Sequence, residues 1–198
     1  QRYLGNFIKR NDLPIPFAYY LYNAETNFID YKINFNLLAE VQCLSTEHLI
    51  IQVGSPTAVG LGKTSLLPFI FRDKRKESLN TSGAQSLRSG CIDTLFGTLQ
   101  IDQSKEKSCV IFDVHGTLLS NVNDTIILAL QQYASLQFLF VTEDDLETNF
   151  LPYMINSSRS KATIVFIFND YYDKHLHDEH VSLIKQFKNR YRMENWSH

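Results

Sequence analysis

The chain has 198 residues, which is enough for one α/β domain with a sizeable hydrophobic core. Its 44% hydrophobic and 20% charged residues are the composition of a globular protein and exclude a disordered chain. The formal net charge of −2 excludes a global attraction to nucleic acid, and no apolar run approaches the roughly 20 residues of a transmembrane segment.

The three cysteines are an odd number, lie far apart and form no Cys-x-x-Cys pair. This usage is typical of reduced thiols rather than of a disulfide framework or a zinc site. No signal peptide is recognisable, so we expect a cytoplasmic protein, or one shared between cytoplasm and nucleus. The sequence begins at Gln1 rather than Met, and we expect it to be an excised piece of a longer protein.

Residues 1–45 carry aromatic side chains without a clear period, and Pro14 and Pro16 argue against a regular element near them. We expect an aromatic-rich, extended lead-in that packs on a domain spanning residues 46–198. A short helix over residues 36–44 fits the sequence but is not settled by it. Only one helix is predicted after the last strand, so we expect the C-terminal end of this domain to be truncated.

The most informative stretch, HLIIQVGSPTAVGLGKTSLLPFIF, runs from His48 to Phe71. His48–Val53 is continuously apolar apart from one glutamine, which predicts a central parallel strand buried on both faces. An apolar helix is predicted to start at Lys63, after a loop of small residues. This order of strand, loop, lysine and helix predicts a phosphate-binding P-loop, in which backbone N–H groups, the helix dipole and the lysine charge meet the phosphates.

This stretch supplies most of the predicted phosphate contacts. The residues are Gly54, Gly60, Leu61, Gly62, Lys63, Thr64 and Ser65. The Thr64 hydroxyl is also the predicted ligand of Mg²⁺. The usual spacing G-x-x-x-x-G-K-[ST] has its first glycine where Thr57 stands, three residues after Gly54, so a surface turn ahead of a helix remains an alternative.

Residues 72–94 form a long polar segment, and two strands are predicted after it, Leu95–Ile101 and Ser108–Asp113. Their six-residue polar linker has the length of a hairpin, so we expect these strands to be antiparallel. Arg88 in the polar segment is a candidate arginine finger that would stabilise charge on a phosphate. The alternative for Arg88 is a solvated loop side chain.

Asp113 closes the second of these strands and Gly116 follows three residues later, in FDVHGTLL. Ligands of open α/β sheets bind at the carboxyl ends of strands. Asp113 is therefore predicted to hold Mg²⁺ through water, and the Gly116 N–H to contact a γ-phosphate. Two alternatives stay open, a capped strand-end turn and the nucleophile motif of haloacid-dehalogenase-like phosphatases, which FDVHGTLL also resembles.

Strands and helices alternate through the rest of the sequence. The predictions are a helix near Thr125–Ala134, a strand Leu136–Val141, a helix near Glu143–Ile155, a strand Ala162–Phe168 and a helix near Asp178–Arg190. Such alternation predicts a parallel sheet with right-handed crossovers. The predicted fold is a three-layer α/β P-loop NTPase domain with a mainly parallel sheet and one antiparallel edge strand.

In this order the motifs resemble the GTPase domain of dynamin-like large GTPases, most of all the very large inducible GTPases, and more distantly guanylate-binding proteins. The matching stretches are QVGSPTAVGLGKTSLL, SLRSGCIDTLFGTL, VIFDVHGTL and VFIFND. The resemblance implies binding of GTP and GDP with Mg²⁺, slow hydrolysis of GTP to GDP, and self-association that depends on the nucleotide.

The resemblance also assigns roles to further residues. Asn169 and Asp170 lie where such proteins read guanine, and an aspartate can pair with the two guanine N–H groups. Thr94 is the candidate first-switch threonine that completes the Mg²⁺ shell, displaced by two positions along the chain. His115 is the candidate that positions the attacking water. Lys63 is the residue whose positive charge would neutralise the phosphates.

Two alternatives to a GTPase stay open. One is a pseudo-GTPase, a nucleotide-dependent interaction module without hydrolysis, which the displaced Thr94 favours. The other is a P-loop ATPase of the NACHT or a related signalling type, for which we expect an acidic pair after the Asp113 strand, where the sequence has none.

Overall fold

The computed structural model describes residues 14–44, 48–55, 58, 62–63, 66–67, 90–100, 106–116, 124–142, 144–147, 162–168, 182 and 185. Seven strands lie within these residues: β1 (Ile15–Asn23), β2 (Phe28–Ile33), β3 (His48–Gly54), β4 (Ile92–Gln100), β5 (Glu106–Val114), β6 (Leu136–Val141) and β7 (Thr163–Phe168). Three helices have described bounds: α1 (Phe35–Leu44), α2 (Asp124–Tyr133) and α3 (Asp144–Glu147).

All seven strands belong to one mixed sheet with the order β2-β1-β4-β5-β3-β6-β7. Strands β5, β3, β6 and β7 are parallel to one another. The β4–β5 pair is antiparallel, as predicted for the hairpin. The antiparallel side is larger than predicted, because β1 and β2 add two further antiparallel pairings beyond β4.

The N-terminal strands correct the expectation that the prolines prevent a regular element. Pro16 lies inside β1 at a bulge, where the register with β4 shifts between Pro16 and Ala18. Proline is tolerated at bulges because no ladder hydrogen bond from its nitrogen is needed there. The hairpin thus extends the sheet, while the division of the chain at residue 45 stays a prediction.

The helix after this hairpin begins at a side-chain cap. Asn34 Oδ1 accepts a hydrogen bond of 3.1 Å from the N–H of Leu37, which satisfies a backbone donor that has no partner inside the helix. The helix that the sequence left unsettled is therefore α1, and Leu37 is buried against the sheet.

The core lies on both faces of the sheet, because successive strand residues point to opposite sides. On β3, Ile51 and Val53 belong to one buried cluster, together with residues of α1 and α2. Ile50 belongs to a second cluster, together with the helical residue Leu67. The prediction that this strand is buried on both faces is confirmed. Among the described helices, none has both the length and the apolarity to span a bilayer.

Candidate phosphate-binding site

The candidate site lies where β3 and β5 end, and these strands are parallel neighbours. Their carboxyl ends meet at one edge of the sheet, where open α/β sheets bind ligands. β3 ends at Gly54, and Lys63 is helical. A Cβ atom on Gly54 would lie 3.0 Å from Lys63 Nζ and 3.2 Å from Lys63 Cδ. The glycine leaves the space that the lysine side chain occupies.

Lys63 is buried at this edge, with 8% of its surface exposed. Its Nζ donates a hydrogen bond of 2.9 Å to the carbonyl oxygen of Gly116. Burial lowers the pKa of Lys63, and the charge of Asp113 opposes that shift. Because a buried ammonium group is costly without negative charge around it, an anion beside Nζ would stabilise the charged lysine.

Asp113 lies near the end of β5, in register with Gln52 of β3. Gln52 Nε2 donates a hydrogen bond of 3.0 Å to Asp113 Oδ1, which fixes the orientation of the carboxylate. Gln52 is fully buried, and within the described part of the chain its Oε1 has no hydrogen-bond partner. An unpaired buried acceptor is costly, so a donor from a bound ligand or its hydration shell would stabilise this corner of the site.

Two glycines of the site have a backbone that other residues seldom adopt. Gly62 has a φ of 73° and Gly116 a φ of 75°, both in the left-handed region. The Gly62 carbonyl accepts a hydrogen bond of 3.0 Å from the N–H of Leu66, so the helix begins directly after this glycine. The Gly116 conformation supports the turn that places its carbonyl against Lys63.

The buried His115 and the partly buried Asp93 form a pair beside these groups. His115 Nε2 lies 2.9 Å from Asp93 Oδ2, and Asp93 is paired with Asp113 across β4 and β5. Burial lowers the pKa of His115, but the hydrogen bond with Asp93 and the charges of Asp113 and Asp93 outweigh it and raise that pKa above its ordinary value. The imidazole is therefore held in one orientation by a carboxylate.

The backbone around His115 is also fixed. The N–H of His115 donates to the Cys91 carbonyl at 2.9 Å, and its carbonyl accepts from the N–H of Gly90 at 2.8 Å. Tyr31 donates its hydroxyl to the Gly90 carbonyl at 2.8 Å. Strand β2 is thus linked to the segment that carries the histidine.

Thr94 lies on the other side of the sheet. It is paired with Phe112, whereas its neighbour Asp93 is paired with Asp113. Successive strand residues point to opposite faces, so the Thr94 side chain is on the face opposite to Asp113. Thr94 is fully buried, and no described residue forms a hydrogen bond with its Oγ1. The structure does not bring this hydroxyl to Asp113.

A second buried polar group connects the residue after β3 to α3. Asp145 Oδ2 accepts hydrogen bonds from Ser55 Oγ at 2.5 Å, from the N–H of Thr142 at 2.7 Å and from Thr142 Oγ1 at 3.2 Å. Ser55 Oγ in turn accepts from the N–H of Ala58 at 3.2 Å. The carboxylate therefore fixes the first residue after β3 and caps the N-terminus of α3.

The structure thus brings together five of the predicted site residues: Gly54, Lys63, Asp113, His115 and Gly116. Gly62 lies next to Lys63 at the start of the helix. Seven predicted residues lie outside the described part of the chain: Gly60, Leu61, Thr64, Ser65, Arg88, Asn169 and Asp170. In the described part, no group of three or more His, Cys, Asp or Glu side chains is arranged to hold a metal ion.

The sequence interpretation missed four residues of the site: Gln52, Ser55, Asp93 and Asp145. Gln52 carries a usable signal, since it is the polar residue inside an otherwise apolar central strand. Ser55 follows Gly54 directly in the chain, and what the sequence does not reveal is its hydrogen bond with Asp145. Asp93 and Asp145 lie near the site only through strand pairing and tertiary packing, which one sequence does not reveal.

Comparison with known proteins gives a distant similarity of fold. No protein-family model matches the chain, and no curated protein does. An Era variant from Aquifex aeolicus bound to GDP and AlF4− has a TM-score of 0.48 and 12% identity, covering 74% of this chain and 48% of its own. A bacterial selenocysteine-specific elongation factor has a TM-score of 0.35 and 16% identity, covering 76% of this chain and 29% of its own.

The chain therefore spans about half the length of the Era structure and less than a third of the elongation factor. At this level of similarity, neither structure assigns a class or a family to the chain.

Proposed function

We propose that this chain binds the phosphates of a nucleoside triphosphate together with Mg²⁺ at the edge formed by β3 and β5. The observation that carries the proposal is the position of Lys63. Its side chain fills the space left by Gly54, and its buried ammonium group lies against the Gly116 carbonyl and within the field of Asp113. A buried lysine at the start of a helix, beside the end of a central parallel strand, is the arrangement that phosphate binding requires.

The residues present fit the nucleotide and the ion. Lys63 would neutralise phosphate oxygens, and Gly116 would offer its N–H to the terminal phosphate. Asp113, oriented by Gln52, would hold the ion through water, and Gln52 Oε1, which has no partner among the described residues, would accept a hydrogen bond from such a water. Bound Mg²⁺ would supply charge neutralisation for the phosphates.

We further propose that the nucleotide is GTP and that the domain is of the large, dynamin-like type, in the cytoplasm. Support for this finer assignment comes from the order of the sequence motifs, with Asp170 as the reader of guanine. His115, held by Asp93, is the proposed group that positions the attacking water. Self-association that depends on the nucleotide belongs to the same proposal.

The second candidate is a pseudo-GTPase, which binds the nucleotide without hydrolysing it. The specific observation that favours it is the face occupied by Thr94. Its side chain lies on the opposite side of the sheet from Asp113, whereas a threonine that completes the Mg²⁺ shell has to reach the ion.

Titration with fluorescent GTP, ATP and GDP in the presence of Mg²⁺, followed by measurement of phosphate release, tests both candidates. Lys63→Ala is the variant expected to lose binding, by at least about tenfold, as expected for one lost charged contact. Lys107→Ala is the matched control, because Lys107 lies in the same strand as Asp113 but at its other end. Thermal unfolding of both variants checks that they fold.

GTP binding that is lost in Lys63→Ala, with phosphate release, supports the GTPase. The same binding without release supports the pseudo-GTPase. Equal affinity for ATP contradicts the guanine assignment. If folded protein binds none of the three nucleotides, the phosphate site itself is wrong.

A further inference from the structure

β2 is the terminal strand of the sheet that the described residues form. β1 occupies one edge of β2, and within the described residues no strand pairs with the other. The hairpin carries most of the large hydrophobic side chains that are exposed in the described part of the chain: Tyr19, Leu21, Tyr22, Phe28 and Ile29. A strand edge with this character is a template for pairing with another chain.

We propose that a second copy of this chain pairs with β2 in antiparallel orientation, about a two-fold axis, so that two sheets become one. An isologous two-fold contact between identical edges has to be antiparallel, because each strand contacts the same strand of its partner. Backbone geometry and charge each specify where along β2 the axis lies.

The backbone geometry follows from the pairing of β2 with β1. The N–H of Asn34 donates to the Phe17 carbonyl at 2.7 Å, and in an antiparallel ladder every second residue faces the same neighbour. Even-numbered residues of β2 therefore direct their N–H and C=O groups toward β1. The residues that direct theirs to the open edge are Ile29, Tyr31 and Ile33. An axis at Tyr31 pairs all three with the same set in the second copy.

The charges of β2 select the same register. Asp30 and Lys32 lie on one face of the strand, 3.1 Å apart between Oδ2 and Nζ, and both are exposed. An axis at Tyr31 puts Asp30 opposite Lys32 of the second copy, twice by symmetry. An axis at Asp30 would put two aspartates opposite each other, and an axis at Lys32 two lysines, which is destabilising. Hydrogen bonding and charge complementarity thus agree on one self-complementary edge.

Sedimentation equilibrium of the whole chain over a concentration series, without nucleotide, measures the proposed dimer. Asp30→Lys places like charges opposite each other at both symmetric positions, and Lys32→Asp does the same with opposite sign. We expect each variant to raise the dimer dissociation constant by at least about tenfold. The double variant Asp30→Lys with Lys32→Asp restores complementarity in the same register, and we expect it to regain wild-type dimerisation.

Circular dichroism and thermal unfolding check that each variant folds. If one single variant does not fold, the double variant still tests the proposed register. Mixing the two single variants is expected to give a heterodimer, since every opposed pair is then complementary. A wild-type chain that stays monomeric at every concentration overturns the proposal. A dimer that the charge reversals leave unchanged, or that the double variant fails to restore, overturns it as well.

Discussion

At the scale of single residues, the site depends on the absence of a side chain at Gly54. The space of its missing Cβ is filled by the Lys63 side chain, so the glycine acts through packing and not through its backbone conformation. This contrasts with Gly62 and Gly116, whose left-handed φ angles require glycine. A methyl group at the end of β3 therefore tests the position of the lysine without disturbing the turns.

Gly54→Ala is expected to displace the Lys63 ammonium group and to weaken nucleotide binding by about tenfold or more, as for a misplaced charged contact. The free energy of unfolding should change by less than about 1 kcal/mol, because the contact is with the flexible end of a side chain. Fluorescent-nucleotide titration and urea denaturation measure the two effects.

Gly97→Ala is the matched control for this change, since Gly97 is also a strand glycine but lies in β4 opposite Cys109. It should leave nucleotide affinity unchanged. Equal affinity in wild type and Gly54→Ala would contradict the role assigned to the space beside Lys63.

The His115–Asp93 pair makes stability depend on pH. The pKa of His115 is raised in the folded protein, so the folded state binds this proton more tightly than the unfolded chain, whose histidine pKa is about 6.5. The stability that this pair contributes is fully present below the histidine pKa of the unfolded chain. It is lost as the pH rises through the raised pKa of His115 in the folded protein.

Urea denaturation of the wild type and of His115→Gln over a pH series isolates this contribution. We expect the wild type to have the higher unfolding free energy. The difference should be largest near pH 6 and should shrink as the pH rises, because the pKa of His115 is raised in the folded protein. Asp93→Asn in the wild-type background should remove most of the pH dependence. A difference that grows with pH would contradict the assignment.

At the scale of elements, Asp145 connects Ser55, the first residue after β3, to the start of α3. Its carboxylate accepts bonds from the Ser55 hydroxyl and from Thr142, and it is 1% exposed. Removing it takes away the acceptor that the Ser55 hydroxyl and Thr142 share. The loop after β3 and the cap of α3 should therefore weaken together.

Asp145→Ala is expected to lower the free energy of unfolding by about 1–3 kcal/mol, because buried donors lose their acceptor. Asp144→Ala is the matched control, as Asp144 precedes it in the same helix but is exposed, and it should cost less than about 1 kcal/mol. Urea denaturation measures both. Equal losses of unfolding free energy in the two variants would show that the effect comes from the negative charge near the helix N-terminus and not from the hydrogen bonds of Asp145.

At the scale of the whole molecule, the N-terminal hairpin shares the main hydrophobic core. Phe17 of β1 is 1% exposed and packs edge-to-face on Phe112 of β5, with ring centroids 5.1 Å apart. The core cluster that contains both also contains Ile51 of the central strand. Removal of the Phe17 ring should therefore destabilise the entire sheet and not the hairpin alone.

Phe17→Ala is expected to cost about 3–5 kcal/mol of unfolding free energy in a single cooperative transition. Phe35→Ala is the matched control, since Phe35 is 65% exposed and its loss should cost about 0.5 kcal/mol or less. A separate early transition in Phe17→Ala would instead indicate a hairpin that folds independently of the sheet.

The central part of the fold was predictable from the sequence because its signals are local. Continuous apolar stretches marked β3, β5 and β6, and small residues with a lysine marked the loop before the helix. The hairpin β1–β2 was not predicted, because its strands are half exposed and Pro16 is accommodated by a bulge that only pairing with β4 creates.

The sequence by itself determined the alternating α/β order and the positions of Gly54, Lys63, Asp113 and Gly116 along the chain, since turn chemistry and apolar runs act between neighbours. Only the tertiary structure decided which of these side chains meet. It placed Gln52 against Asp113 and Asp93 against His115, and it turned Thr94 to the opposite face. The physical reason is strand register, because a shift of one residue reverses the face of every side chain and depends on the pairing partner.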